Sequence, residues 1–354
     1  MDKKRIAVAI SGGVDSSTAA LLLKKAGHEV IGLHMRLWHD EQSLISNHHK
    51  LKKAAYRAEQ VCQAIGIPFH VVELENEFKH RVVDYFYQGY VQGQTPNPCI
   101  ACNKHMKFGL LMEKALSLGA DYLATGHYAR IRRADGAYHL LKGIDSSKDQ
   151  SYILYTLEQD NLSRILFPLG DYLKVEVRKI ADQNGLPTAE EPGSQDICFI
   201  DGKYSDFFRR TIAAKATGEI VNSQGVVVGQ HNGIAFYTIG QRHGLGFAAG
   251  QRYYVTKIEP ENNRVIVGTE EELYSRELIA KRVNWLSSRL PSDQIGSTVK
   301  IRYKSPEVAA TLYPKSDSTK VEFHQPQRAV TPGQAVVFYK ENEVIGGGTI
   351  EQAA

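Results

Sequence analysis

The sequence predicts an α/β first half built on a parallel sheet, followed by two smaller mainly-β units. Three observations predict it. Short apolar runs alternate with amphipathic stretches up to about residue 205, glycines or Gly-Pro pairs close several of those stretches, and beyond that point short β-branched runs take over. A chain of 354 residues is also more than one hydrophobic core usually carries.

The elements follow in order. Residues 6–10 (Ile-Ala-Val-Ala-Ile) form a short apolar strand, and residues 16–26 a helix stopped by Gly27. Residues 30–34 give the second strand. A charged amphipathic helix follows over about 51–65, closed by Gly66-Ile67-Pro68. Residues 69–73 are the third strand, 78–90 and 104–118 are helices, and 122–125 are a further buried strand. This alternation implies a parallel sheet covered on both faces, with ligands beyond the carboxyl ends of its strands. Residues 11–15, Met35 and Gly126-His127 fall there. From about residue 205, runs such as Val226-Val227-Val228, Val265-Ile266-Val267 and Val299-Lys300-Ile301-Arg302-Tyr303 read as antiparallel β units. Domain boundaries are expected near 205 and, more softly, near 276. His48-His49 lies in a polar insertion and reads as a loop.

Composition narrows the class. A hydrophobic fraction of 42% and a charged fraction of 23% are ordinary for a globular protein. No apolar run approaches the ~20 residues that span a bilayer. The basic start, Met1 to Arg5, leads into an apolar stretch too short for a signal-peptide core, so a cytoplasmic protein with no membrane partner is expected. A net charge of +4 permits a nucleic-acid partner without demanding one. Four cysteines (Cys62, Cys99, Cys102 and Cys198) are too few for a disulfide scaffold in so long a chain and suit catalysis, redox work or metal binding.

Ser11-Gly12-Gly13-Val14-Asp15-Ser16 marks the point where the first strand gives way to a helix. Two glycines let the backbone approach an anion, and the helix start offers open amides and a positive dipole end. Ser11, Ser16 and Ser17 add hydroxyl donors. No lysine occupies the loop, so it is not a Walker A site. Asp15 would repel a bare phosphate, so it either caps the helix or holds Mg²⁺ against a nucleotide. Among the thiols, Cys99-x-x-Cys102 with Cys198 would supply three ligands to an iron–sulfur cluster or to zinc. Such sites usually show paired Cys spacing elsewhere in the chain, and this sequence has the one pair only. Cys62, inside a helix, reads as packing.

The loop resembles that of the pyrophosphatase-type ATP-binding (PP-loop) superfamily, whose members cleave ATP between the α and β phosphates and produce an adenylated substrate. Further blocks are similar to the tRNA-specific 2-thiouridylases: Thr-Pro-Asn-Pro-Cys-Ile-Ala-Cys-Asn-Lys at 95–104, Thr-Gly-His-Tyr-Ala-Arg at 125–130, Lys-Asp-Gln-Ser-Tyr at 148–152 and Ser-Gln-Asp-Ile-Cys-Phe-Ile at 194–200. Tyr-Thr-Ile-Gly-Gln-Arg-His-Gly-Leu-Gly at 237–246 and Pro-Gln-Arg-Ala-Val-Thr-Pro-Gly-Gln at 326–334 continue the series in family order.

The resemblance implies a PP-loop nucleotide-binding domain over 1–204, a small mainly-β central domain over 205–275 and a C-terminal β-barrel-like domain over 276–354. It implies a sulfurtransferase that uses ATP and Mg²⁺ to adenylate the C2 oxygen of the wobble uridine of tRNA. Sulfur from a cysteine persulfide then replaces that oxygen, giving 2-thiouridine, AMP and pyrophosphate. ATP would lie against Ala9, Ile10, Ser11, Gly12, Gly13, Val14, Asp15 and Ser16, with Met35 and Gly126 at the adenosine. Asn97, Pro98 and Cys99 would face the target base, and Lys148, Asp149, Gln150, Arg302 and Tyr303 would contact tRNA. By the same resemblance Cys198 carries the persulfide and Cys102 is its nucleophilic partner, the two ending as a transient disulfide. A cysteine desulfurase or persulfide relay would be the sulfur donor. Cys102, just before a helix and beside Lys104 and His105, is expected to have a lowered pKa.

The sequence departs from the family in three places. Some relatives carry Asp where Cys99 stands. Glu190, Glu191 and Gly193 precede Ser194 where a basic stretch and an Asp are expected, and residues 40–50 are atypical. A PP-loop amidotransferase or ligase would share the loop but need neither Cys102 nor Cys198. A non-catalytic tRNA-binding module would need no intact loop.

Overall fold

The computed structural model describes residues 2–38, 46–191, 197–200, 207–208, 217–246, 252–287, 291 and 293–353; for 46–52 it describes the backbone alone. Five parallel strands form the first sheet in the order β3-β2-β1-β4-β7, where β1 is Arg5–Ala9, β2 Glu29–Arg36, β3 Phe69–Glu73, β4 Tyr122–Ala124 and β7 Ile165–Leu166. Alternation sorts the faces of β1. Ile6, Val8 and Ile10 pack with Ala20 and Leu23 of α1 (Val14–Lys25) and with Ala58 and Cys62 of α2 (Ser46–Ile65). Ala7 turns to the other face, under the helices α3 (residues 75–91) and α4 (residues 98–117). Small side chains at 7 and 9 leave room for the larger ones on α3 and α4, such as Phe78, Phe86 and Met106.

Both of these helices contain a π-helical stretch, Lys79–Val83 in α3 and Cys102–Leu111 in α4. α4 begins at Pro98, earlier than the sequence suggests. Asn97 is its N-cap and Pro98 its first residue, a pairing that suits a helix start. α2 likewise begins at Ser46, so His48-His49 lies in a helix backbone and not a loop. Two shorter helices, α5 (Gln159–Leu162) and α6 (Lys174–Gln183), complete the first half, and α6 packs on α1.

The second sheet, β10-β11-β8-β9, has its own small core of Ile220, Val255, Val265 and Val267. Here β8 is Gly218–Asn222, β9 Val227–His231, β10 Tyr254–Glu259 and β11 Arg264–Gly268. The third sheet runs β12-β15-β14-β13-β16-β17, and pairing of β12 (Tyr274–Trp285) with β17 (Glu343–Ala353) closes it. Between them lie β13 (Ile295–Lys300), β14 (Val308–Pro314), β15 (Ser318–Arg328) and β16 (Ala335–Lys340). The fold class is thus an α/β parallel-sheet domain, a small mainly-β middle unit and a barrel-like antiparallel sheet. One connection was not legible beforehand: the hairpin β5–β6 (Ala129–Ala134, Ala137–Lys142) from the first half extends the barrel sheet through β17. Ile301, Arg302 and Tyr303 also leave the predicted strand, because β13 ends at Lys300 and they form the turn after it. Among the described residues no helix is long and apolar enough to cross a membrane.

Candidate active site

Ala9 and Ile10 end β1, and the chain turns through Ser11-Gly12-Gly13 into α1. Gly12 has φ +78°, and a Cβ there would stand 2.4 Å from the Ala54 carbonyl oxygen, so only glycine lets the loop lie on α2. Gly13 is the N-cap of α1 and brings no side-chain cap. The first turn therefore keeps its positive end for an anion. Met35 lies near the carboxyl end of β2 and Gly126 just past β4, so the three segments named from the sequence meet at one edge of adjacent strands. Gly126 touches the loop itself: a Cβ there would lie 2.7 Å from the Ser16 amide nitrogen. Such a cradle, open at the helix start and lined by glycine, fits the phosphates of ATP.

Two details differ from expectation. The Ser16 and Ser17 hydroxyls donate back to the Gly13 carbonyl at 3.1 and 2.9 Å, and Ser16 Oγ also accepts from the Ser11 amide at 3.1 Å. These two hydroxyls stiffen the loop instead of standing free. Asp15 makes no helix cap. Its Oδ1 accepts from the Tyr128 hydroxyl at 2.8 Å and forms an ion pair with Lys174 at the start of α6. Both contacts fall on Oδ1, so the Asp15 charge is already offset by Lys174.

The thiols lie on the α3–α4 side of the sheet. Asn97 Oδ1 accepts from the Cys99 amide at 3.0 Å, Pro98 is buried, and Cys99 is exposed on the first turn of α4. Cys102 follows one turn later, half-buried. Ile197-Cys198-Phe199-Ile200 comes from a distant part of the chain. Phe199 pins it by inserting into an aromatic cluster, 5.8 Å from Phe78 and 5.6 Å from Phe86 between ring centroids. Cys198 keeps solvent contact on that segment. Ser194, Gln195 and Asp196 lie outside the described residues; Glu191, before them, pairs with Arg57.

The electrostatics reverse the expectation for Cys102. Protein walls strip water from its thiol and push its pKa up to about 11, with Lys107 opposing and Cys99 adding to the rise. Cys198 keeps some solvent contact, yet the protein crowded around its thiol raises it to about 12, with the charges of Cys102 and Cys99 next and Lys107 opposing. Cys99 is also raised by desolvation against Lys107. Three thiols from two segments therefore lie close enough to feel one another's charge. All four cysteines are free thiols, and Cys62, buried under Gly32, is pushed up to about 12 by burial. Among the described residues no three His, Cys, Asp or Glu side chains converge as a metal site would.

The barrel contributes to the same region. The Thr95 amide donates to the Pro332 carbonyl at 2.9 Å, and Gln334 Nε2 donates to the Thr95 carbonyl at 2.7 Å, docking the entry to α4 on a barrel turn. Tyr303 packs 6.0 Å from Tyr152, and burial, then Asp149 and Cys99, push its hydroxyl up to about 12. Arg302 donates to the Arg328 and Ala329 carbonyls. In the 148–150 loop, Asp149 accepts from the Gly143 and Ser151 amides and Gln150 Oε1 from the Tyr128 amide, so these two side chains build the loop and leave Lys148 exposed. The sequence reading missed Lys107, Tyr128 and Lys174, and placed His127 only at the strand end. His127 and Tyr128 stood in a quoted block, whereas Lys107 and Lys174 carried no signal that spacing could detect.

Sheet order and the glycine turn at its carboxyl edge define the class: an α/β parallel-sheet protein of the HUP-domain kind carrying two β units. Residues 4–202 match the family described as tRNA methyl transferase HUP domain, 205–269 its PRC-barrel domain, and 275–350 an aminomethyltransferase beta-barrel domain. The tRNA-specific 2-thiouridylase MnmA of Moorella thermoacetica is 49% identical over 355 residues, covering 98% of this chain and 99% of that one. The protein of the same name from Carboxydothermus hydrogenoformans is 46% identical, covering 99% and 98%. Among solved structures, the NMN synthetase of Francisella tularensis gives a TM-score of 0.35 at 14% identity, over 54% of this chain and 66% of that one. The chain belongs to the tRNA-specific 2-thiouridylase family.

Proposed function

We propose that this chain is a tRNA sulfurtransferase that replaces the C2 oxygen of a wobble uridine with sulfur. What supports the reading is that Cys102 and Cys198, from distant segments, lie near enough for charge on one to raise the pKa of the other, in a molecule whose first helix starts on an uncapped glycine turn. ATP would lie with its phosphates at residues 11–16 and its adenosine toward Met35 and Gly126. The uridine C2 oxygen attacks the α-phosphorus of ATP; that O–P bond forms and the bond to pyrophosphate breaks. The oxygen now has a leaving group, AMP, which the free carbonyl lacks. Mg²⁺ is expected to accompany ATP, but Asp15 is already engaged by Lys174 and Tyr128, and no step is assigned to the ion.

The terminal sulfur of a Cys198 persulfide attacks C2 and AMP leaves with the oxygen. The Cys102 thiolate then attacks Cys198 Sγ. A Cys102–Cys198 bond forms, the bond from Cys198 to the substrate sulfur breaks, and its electron pair remains on that sulfur as 2-thiouridine. A thiol reductant reopens the disulfide, and a cysteine desulfurase or persulfide relay reloads Cys198. Both thiols being held protonated near neutral pH supports a centre that stays unreactive until substrate arrives. Lys148 and Arg302 are proposed to meet tRNA phosphates, Tyr303 and residues 97–99 the everted base. Mass spectrometry of tRNA nucleosides after incubation with ATP and a persulfide source tests the reading. Wild type should add sulfur to uridine and Cys198→Ser should add none; thiolation by Cys198→Ser would sink the mechanism.

A further inference from the structure

Lys107 lies in the π-helical stretch of α4. In an α-helix, residues five apart point about 140° away from each other. Bonding from i to i+5 brings them toward one face, so Lys107 comes round toward Cys102. Its ammonium is fixed in place: Nζ donates to Nε2 of His127 at 3.2 Å. An ammonium only donates, so Nε2 accepts, Nδ1 keeps the ring proton, and that proton goes to Thr125 Oγ1 at 2.7 Å. Burial, then the charge of Lys107, keeps the ring neutral. Among the described residues half-buried Lys107 pairs with no carboxylate. Its charge acts on Cys99, Cys102 and Cys198 alike. A cation held by a neutral ring, with no carboxylate partner among the described residues, is set to receive an anion.

We propose that Lys107, oriented by His127, is the cation that holds the sulfur anion during transfer. It would hold the Cys102 thiolate as it attacks and the persulfide sulfur of Cys198 as it approaches C2. The assignment rests on the thiolation reading and gives it a residue for the negative charge it must handle. Lys107 makes and breaks no bond and keeps its protons throughout.

The test is the pH profile of Cys102 alkylation by iodoacetamide in the full chain, read by peptide mass spectrometry. Lys107→Gln should slow alkylation at pH 8 about tenfold and move the midpoint upward, because removing the cation leaves less thiolate. Lys107→Arg should restore most of the rate, and the exposed Lys104, removed as Lys104→Gln, should change it far less. An unchanged profile in Lys107→Gln overturns the assignment. If that variant does not fold, Lys107→Met, which keeps the apolar stem, carries the same measurement. The readout needs no tRNA. A shifted profile in a protein that never thiolates tRNA would sink the functional reading and leave the cation in place; thiolation by wild type with no shift would do the reverse.

Discussion

Residue types at the thiol centre were legible, but their ionisation was not. From the sequence, a cysteine at a helix start beside Lys104 and His105 should be acidic. In the folded chain Cys102 is a turn inside α4, the imidazole of His105 is itself held down by burial, and desolvation outweighs the one effective cation, Lys107. The sign fixes a pH dependence. With the pKa of Cys102 at about 11 and that of Cys198 at about 12, thiolate is scarce at pH 7 and grows about tenfold per pH unit. Alkylation of both should therefore climb steadily from pH 7 to 10; a plateau below pH 9 would show that the thiols ionise normally. Asp15 teaches the same lesson. Its charge beside a phosphate cradle looked like a problem for a metal to solve, and Lys174, far along the chain, already offsets it.

At the scale of elements, the π-helical stretch matters most. Sequence periodicity is read at 3.6 residues per turn, and on that wheel Lys107 turns away from Cys102. Only the changed hydrogen-bond pattern brings it round, and nothing in Cys-Asn-Lys-His-Met-Lys announces that change. The Cys198 segment was legible only as a block similar to the family; the fold shows that Phe199 anchors it in the aromatic cluster. Phe199→Ala should remove that anchor and cost about 3–5 kcal/mol in denaturant-induced unfolding, as large-to-small changes in a packed aromatic cluster do. A loss under 1 kcal/mol would mean the segment is held by something else. Arg302 and Tyr303 read as strand in Val-Lys-Ile-Arg-Tyr; the strand stops at Lys300, and the turn after it brings Tyr303 within reach of Cys99 while Arg302 bonds to barrel carbonyls.

Across the whole molecule, the barrel is braced against the catalytic segment at Thr95, where backbone and Gln334 both bond. Gln334→Ala removes one of those two bonds, worth about 1 kcal/mol. Hydrogen exchange at the Thr95 amide should then quicken about fivefold, and unchanged protection would show that the junction does not depend on this side chain. The parallel sheet, its glycine turn and the two β textures could be read from the sequence alone, because period and turn chemistry are local and repeat along the chain. Tertiary structure alone decided which charges meet: Lys174 with Asp15, Lys107 with three thiols, Tyr303 with Cys99. Charge and desolvation depend on distance through space, and folding sets that distance between segments the sequence keeps far apart.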